Sequence, residues 1–474
     1  MTKDMTNGDV MKKIISFAFP VFLASLLQQL YNMADSIIVG RFVGKDAFAA
    51  VGSTGSLNFL IIGFILGLCT GVTVPVAQRF GAGDMVQMRR KIVAAIYVCL
   101  LLGVVLTLIT TMGTGTLLHI MQSPENIYQD AYQYIFIIFL GIPATILYNL
   151  PANISRALGD SKTPLYFLIL SAGLNVILDL VFVCAFHMGV RGTATATVIS
   201  QAISGICCVI YMKRKYDILV FSKEDWAVDI HSMENSVGIG APMGLQFSIT
   251  AIGSVILQSA VNTLGSDTVA AVTAAMKVQM IAVQPMDALG VTMATYAGQN
   301  LGAGKIKRVR EGVSKANIAC IGGAVIAFLF CNFCAAPMTL LFIRSNEMND
   351  TIRNCIHQIL LTNSLFFIPL GTLGVFRNAV QGLGHSFVAM GAGVLELLGR
   401  SVVAFAAVGT FGFTAICFAS PAAWIGANAI LIPMYLSIMK KLESAYQKKK
   451  TEEKNEIEND RKTERKLKKS VNFS

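Results

Sequence analysis

Twelve runs of about 20 predominantly apolar residues lie between residues 14 and 438, each divided from the next by a short polar turn. Inside a bilayer no water is available to the backbone, so segments of this length must satisfy their own N–H and C=O groups and predict helices. The chain therefore reads as an all-α polytopic membrane protein with twelve transmembrane helices in two six-helix bundles. Composition agrees, since 54% hydrophobic residues, 14% charged ones and a mean hydropathy of +0.62 lie well outside the range of soluble chains. The first run contains Gln28, Gln29, Asn32 and Asp35 and lacks a small-residue cleavage site, so it reads as the first span and not as a signal peptide.

Basic residues fall on alternate connections: Lys12 and Lys13; Arg89, Arg90 and Lys91; Arg156 and Lys162; Lys213, Arg214 and Lys215; Lys305, Lys307, Arg308 and Arg310. The positive-inside rule makes these connections cytoplasmic and, with an even number of spans, puts both termini there, in a multi-pass protein of the cell (plasma) membrane. The net charge of +11 then reflects topology, and no basic soluble domain exists to bind nucleic acid. The ten cysteines lie almost wholly within apolar runs and read as small core residues. Cys331 and Cys334 form a C-x-x-C without a partner pair, so no metal site is expected from them.

The scaffold is duplicated. Gln78-Arg79-Phe80-Gly81-Ala82-Gly83 recurs 221 residues later as Gln299-Asn300-Leu301-Gly302-Ala303-Gly304, and Gly44, Asp46, Ala49, Ala50 and Val51 recur at the same interval. Pro20 reappears as Pro242, and Leu158-Gly159-Asp160-Ser161 as Leu383-Gly384-His385-Ser386. Repeats in one order define two parallel units, an arrangement in which transporters place substrate and ion sites at membrane depth. The expected division is 1–212 for the amino-terminal bundle, 213–236 for a short polar cytoplasmic linker, 237–440 for the carboxy-terminal bundle and 441–474 for a charged cytoplasmic tail, solvated or touching anionic lipid.

An ionisable group at bilayer depth costs about 2.5–3.5 kcal/mol on insertion scales, so each one asks for a partner or a function. Gln28, Asn32 and Asp35 share one face of the first span, and Asn175 and Asp179 are one turn apart on the fifth. Two carboxylates with neighbouring amides can hold a small cation such as Na+ through oxygen ligands, can exchange a proton, or can simply satisfy packed polar groups. At the repeat interval Asn175 and Asp179 become Glu396 and Arg400, an acid and base one turn apart that read as a structural ion pair. Asp35 falls on Ile256 or Leu257, which confines the expected coupling chemistry to the first half.

Gln246, Thr250, Gln279, Gln284 and Asp287 form a polar stripe on the seventh and eighth spans, with Met276 and Met280 among several methionines nearby. Together with Gln28, Asn32 and Asn153 these residues are read as lining a substrate cavity, because thioethers repack around varied shapes, with packed core as the other reading. Lys277 is an alternative partner for Asp287. Pro20 removes a backbone hydrogen bond within the first span and marks a hinge.

With Pro20, with Asp35 in Gln29-Leu30-Tyr31-Asn32-Met33-Ala34-Asp35-Ser36-Ile37-Ile38-Val39-Gly40, with the paired Gln-x-x-Gly-Ala-Gly segments, with Arg156-Ala157-Leu158-Gly159-Asp160 and with Asn175-x-x-x-Asp179, residues 10–440 resemble the multidrug and toxic compound extrusion (MATE) family. The resemblance implies a V-shaped pair of bundles that alternates access and acts as an antiporter, exporting cationic, often polyaromatic drug-like compounds against inward H+ or Na+. It also implies that Asp35, Asn175 and Asp179, with Thr195 or Thr197, form the amino-terminal cation site, and that Pro20 is the bending point of the first helix. Some members carry acids in the seventh and tenth spans, near which Thr250 and Asn378 stand here.

The expected partners are small organic molecules and membrane lipid, with the protein a monomer and no cofactor beyond the coupling ion. A lipid or lipid-linked oligosaccharide flippase is the rival reading, disfavoured by intramembrane acids that would repel an anionic cargo. A major-facilitator transporter would show an acidic and basic turn between its second and third spans, which Arg79-Phe80-Gly81-Ala82-Gly83 does not match. An enzyme is not expected, since His119, His187, His231, His357 and His385 are scattered and no nucleophile and base combination is evident.

Overall fold

The computed structural model describes residues 4–121, 124–334, 338–339 and 348–471, and no strand occurs among them. Twelve helical spans follow one another. They are α1 (Val10–Ile38), α2 in three segments (Lys45–Ser53, Gly55–Gly71 and Val74–Gly81), α3 (Met85–Ile120), α4 in two (Glu125–Leu140 and Ile142–Ala157), α5 (Lys162–Leu180) and α6 (Val190–Lys215). The second set is α7 (Ile230–Asn262), α8 in two segments (Ser266–Ala282 and Gln284–Gly302), α9 (Ile306–Leu329), α10 in two (Asp350–Leu365 and Phe367–Gly382), α11 (Ser386–Val402) and α12 (Phe413–Val471).

Among the described residues nine spans, α2 counted over Gly55–Gly81, are long and apolar enough to cross a bilayer without a sharp bend, while α4, α8 and α10 are pairs bent by 47°, 51° and 50°. The breaks have a local cause. Pro143 and Pro285 sit in the first turn after the break in α4 and α8, where a missing N–H interrupts the ladder without leaving an unmet donor. By contrast, α1 runs as one helix through Pro20, so in this state the expected hinge is not a break. The charged tail continues α12 as helix to Val471.

Two buried apolar clusters form, and the first helix of each half crosses between them. Val10, Ile14, Phe17 and Val21 of α1 lie in the core built from α8–α12, whereas Val39 at its other end joins the core of α2–α6. Likewise the start of α7 packs on α2, where Gly240 meets Val72 and Gly244 meets Phe64, and its later turns pack on α11. The halves are thus interlaced through α1 and α7.

Both chain ends lie at one end of the bundle, here the terminal end. Lys305 Nζ donates to the Thr6 carbonyl at 2.9 Å, and Arg310 and Glu443 approach to 3.4 Å. There the duplicated Gln-x-x-Gly-Ala-Gly segments lock the halves together. Gln78 Nε2 donates across to the Gly382 carbonyl at 3.0 Å, and Gln299 Nε2 makes the reciprocal bond to the Ala157 carbonyl at 2.8 Å. Gly81 packs on the Gln299 backbone and Gly302 on the Gln78 backbone so closely that a Cβ at either would overlap a carbonyl oxygen. Gly83 and Gly304 end the helices at φ +75° and +69°, a conformation that costs other residues strain. At the far end the outer segment of α2 packs on α4 and that of α8 on α10, each within its own half.

Candidate functional site

Within the first half, α1, α2, α4 and α6 enclose a cavity of about 170 Å³ whose wall includes Gln28, Tyr31, Asn32 and Asp35. The helical period brings these four to one face, and the shared face explains why the polar stripe on α1 survives at bilayer depth. Asp35 is half-buried at the wall. Behind it Asp179 and Asn175 on α5 are fully buried, and the two carboxyl groups neighbour one another. Asp35 Oδ1, both carboxylate oxygens of Asp179 and Asn175 Oδ1 have no hydrogen-bond partner among the described residues. Four buried acceptors without a donor are costly unless something electropositive joins them. An oxygen-only set suits a hard monovalent cation or a proton shared between carboxylates.

Thr197 completes the set and Thr195 does not. Thr197 Oγ1 accepts from Asn175 Nδ2 at 3.2 Å and lies 3.5 Å from the Tyr31 hydroxyl, whereas Thr195 donates to the Arg191 carbonyl of its own helix at 2.7 Å. Residues two apart point to opposite helix faces, so only one of the two could join. Thr197→Val, which removes the acceptor that orients Asn175, is expected to weaken ion-driven transport about 5-fold, in line with about 1 kcal/mol for such a bond. Thr195→Val is expected to match the parent in the same flux assay.

The sequence reading missed Tyr31, Asn58, Tyr134, Thr145 and Gln201, which also line the cavity, with Thr145 Oγ1 donating to Gln201 Oε1 at 2.9 Å. Tyr31 precedes Asp35 by one helical turn, a spacing that could have marked it. Asn153 is not at this wall: its Nδ2 donates to the Asn149 carbonyl and its Oδ1 accepts from Arg156 Nη1, both at 3.0 Å.

In the second half the expected residues divide. Met276, Met280 and Asp287 are exposed towards open space, Thr250 is half-buried and donates to the Gln246 carbonyl, and Gln279 Oε1 accepts from Asn363 Nδ2 at 2.8 Å. Gln246 and Gln284 are buried, and Gln246 Oε1 takes a 2.5 Å bond from Gln381 Nε2, which makes it a packing residue.

The expected Glu396–Arg400 pair is present at 3.7 Å, but Glu396 is held more tightly by Arg377 of α10, which the sequence reading did not single out. An arginine within an apolar run was the available signal. Lys277 does not reach Asp287, because the bend at Val283 separates their segments, and the basic group nearest in charge to Asp287 is Arg377. Glu396 thus bridges the half-buried Arg377 and the buried Arg400. Arg377→Met leaves Glu396 with the weaker partner alone and is expected to cost about 3–5 kcal/mol, read as thermal unfolding in detergent, while Arg377→Met with Glu396→Gln costs less. No cluster of three or more metal-ligating side chains occurs among the described residues.

Comparisons with known proteins agree with this architecture. The MatE family model matches residues 20–181 and again 242–406, once in each half. The chain is 31% identical over 317 residues to the probable multidrug resistance protein YpnP of Bacillus subtilis, covering 65% of this chain and 68% of that one. It is 28% identical over 389 residues to the probable multidrug resistance protein YoeA of the same organism, covering 80% and 81%. In fold it is similar to the outward-facing conformation of a multidrug resistance MATE family transporter of the MOP superfamily, with a TM-score of 0.85, 22% identity, and coverage of 92% of this chain and 97% of that one.

Proposed function

The chain belongs to the MatE family of multi-pass membrane proteins, and on that premise we propose that it is an antiporter which exports drug-like, often cationic organic compounds in exchange for inward H+ or Na+. The observation that carries this reading is the group of orphaned oxygens on Asp35, Asp179 and Asn175 beside a polar cavity in the first half. By the positive-inside distribution the terminal end, where the reciprocal glutamine bonds join the halves, is cytoplasmic, so access is from the outside, and the cell membrane is the site of action. The protein works as a monomer with no cofactor beyond the coupling ion.

In this state an ion arriving from outside meets Asp35 at the cavity wall before Asp179 behind it. Neutralising the pair removes the negative field that favours a cationic cargo and releases the cargo outward. Once the pair is neutral and the cargo gone, the halves return. Each ligand biases the two states oppositely, and the coupling is reciprocal. Asp287 and the exposed Met276 and Met280 supply a second wall of acid and thioether for a varied cargo.

The test is fluorescent-dye efflux from proteoliposomes under separately imposed pH and Na+ gradients. Acceleration by one gradient identifies the coupling ion, and an efflux rate indifferent to both overturns the antiport reading.

A further inference from the structure

The connection between the halves is an ordered, largely exposed segment. It winds into two short 3-10 turns, Asp217–Leu219 and Lys223–Trp226, and lies against α3. Arg89 Nε pairs with Asp225 at 2.8 Å, and the Tyr97 hydroxyl donates to the Trp226 carbonyl at 3.0 Å. The Ser222 N–H together with the Arg89 guanidinium holds the Asp225 carboxyl below the usual carboxylate range. Pinned in this way, the linker exposes Val220, Trp226 and Val228, three large apolar side chains outside any span, next to the exposed Ile230 that begins α7. Such exposure is costly in water and is met where an aromatic and aliphatic fringe sits at the level of lipid headgroups.

Beneath this fringe lies a groove of about 610 Å³ between α3, α4 and α6. Its walls at bilayer depth are apolar, among them Leu100, Leu147, Leu150 and Val209, its roof is Phe221 and Trp226, and its one charged lining residue is Lys213 at the mouth. The volume is that of a ligand pocket, not of a packing defect. Lys213 and its neighbour Arg214 are exposed and form no ion pair among the described residues, whereas Arg89 is already paired with Asp225 and Lys91 donates to Ser232 at 3.0 Å. Asp217 and Glu224 are exposed on the same linker and pair with neither.

We propose that this groove binds a membrane phospholipid with an anionic headgroup, one acyl chain lying between α3, α4 and α6 under Trp226 and the headgroup meeting Lys213 and Arg214. The occupant follows from complementarity: an apolar slot at bilayer depth, closed by interfacial aromatics, with unpaired positive charge only at its mouth, matches an acyl chain below a negative headgroup. A soluble anion lacks the chain, and a neutral lipid leaves the two basic side chains unpaired.

The sequence contains two tryptophans, Trp226 at the groove and Trp424 in the core of the second half, which makes Trp226 a reporter. In the full chain carrying Trp424→Phe, reconstituted in phosphatidylcholine vesicles, phosphatidylglycerol brominated along its acyl chain is expected to quench Trp226 several-fold more than brominated phosphatidylcholine at equal mole fraction. Lys213→Gln and raised salt should each remove that preference, and Val209→Phe should weaken quenching by filling the slot with the headgroup contact intact. If Trp424→Phe disturbs folding, the difference between the parent and Trp226→Phe isolates the same signal. Quenching that follows mole fraction equally for both lipids overturns the proposal. So does displacement of the brominated lipid by an uncharged hydrophobic dye but not by unbrominated phosphatidylglycerol.

Discussion

Replacing Asp35 by Asn is expected to leave a protein that inserts and folds like the parent yet shows no gradient-driven dye efflux in proteoliposomes. The substitution keeps the side-chain shape and a carbonyl acceptor while removing the group at the cavity wall that changes charge when an ion arrives. Asp179, buried behind it, then has no route by which its own neutralisation couples to the cavity. A loss of at least 100-fold in flux is expected, because a coupled cycle without its ion step is stopped and not slowed, and 1.4 kcal/mol corresponds to each factor of ten. Thermal stability should hold or rise, since one of two neighbouring acids is gone. Unchanged flux would remove Asp35 from the mechanism, and a matched loss of folding would show that the residue is structural.

The second large effect is expected at the apex. Gly81 and Gly302 allow the backbones of α2 and α8 to touch, and a side chain at either position overlaps the carbonyl oxygen of Gln299 or Gln78. Gly302→Leu therefore forces the helices apart and removes the geometry on which the reciprocal glutamine bonds depend. Overpacking of this kind costs about 1–3 kcal/mol, enough to move a two-state balance by roughly 5- to 150-fold. In the alternating access proposed above, the penalty falls only on the state closed at the terminal end, so Gly302→Leu should populate the opposite-facing state. Cysteines placed along the terminal-end crossing should then label with membrane-impermeant reagent from that side, where the parent is protected. Labelling identical to the parent would mean that these glycines serve packing alone.

The fold and much of the site were legible because they are written in local spacing. Twelve apolar runs give twelve spans, the duplicated Gln-x-x-Gly-Ala-Gly gives the two halves, and the turn spacing of Asn175 and Asp179 puts both on one face of α5. Asp35 stood out because carboxylates at bilayer depth demand an explanation. The joining of α1 to α5 at Asp35 and Asp179 involves residues far apart in sequence, but two acids of similar depth made it a reasonable expectation.

What the sequence by itself determined is therefore the helical, duplicated, membrane-embedded plan and the acids of the first half, since these follow from residue type and period. The tertiary structure alone decided which hydroxyl reaches Asn175, which arginine holds Glu396, and that Asn153 and Gln246 turn into packing. It also decided that each half lends its first helix to the other, and that the linker lies on α3 over an apolar groove. Those outcomes depend on how each helix is rotated and bent against distant neighbours: the breaks at Gly141, Val283 and Phe366 redirect side chains that an unbroken helical period would have placed elsewhere.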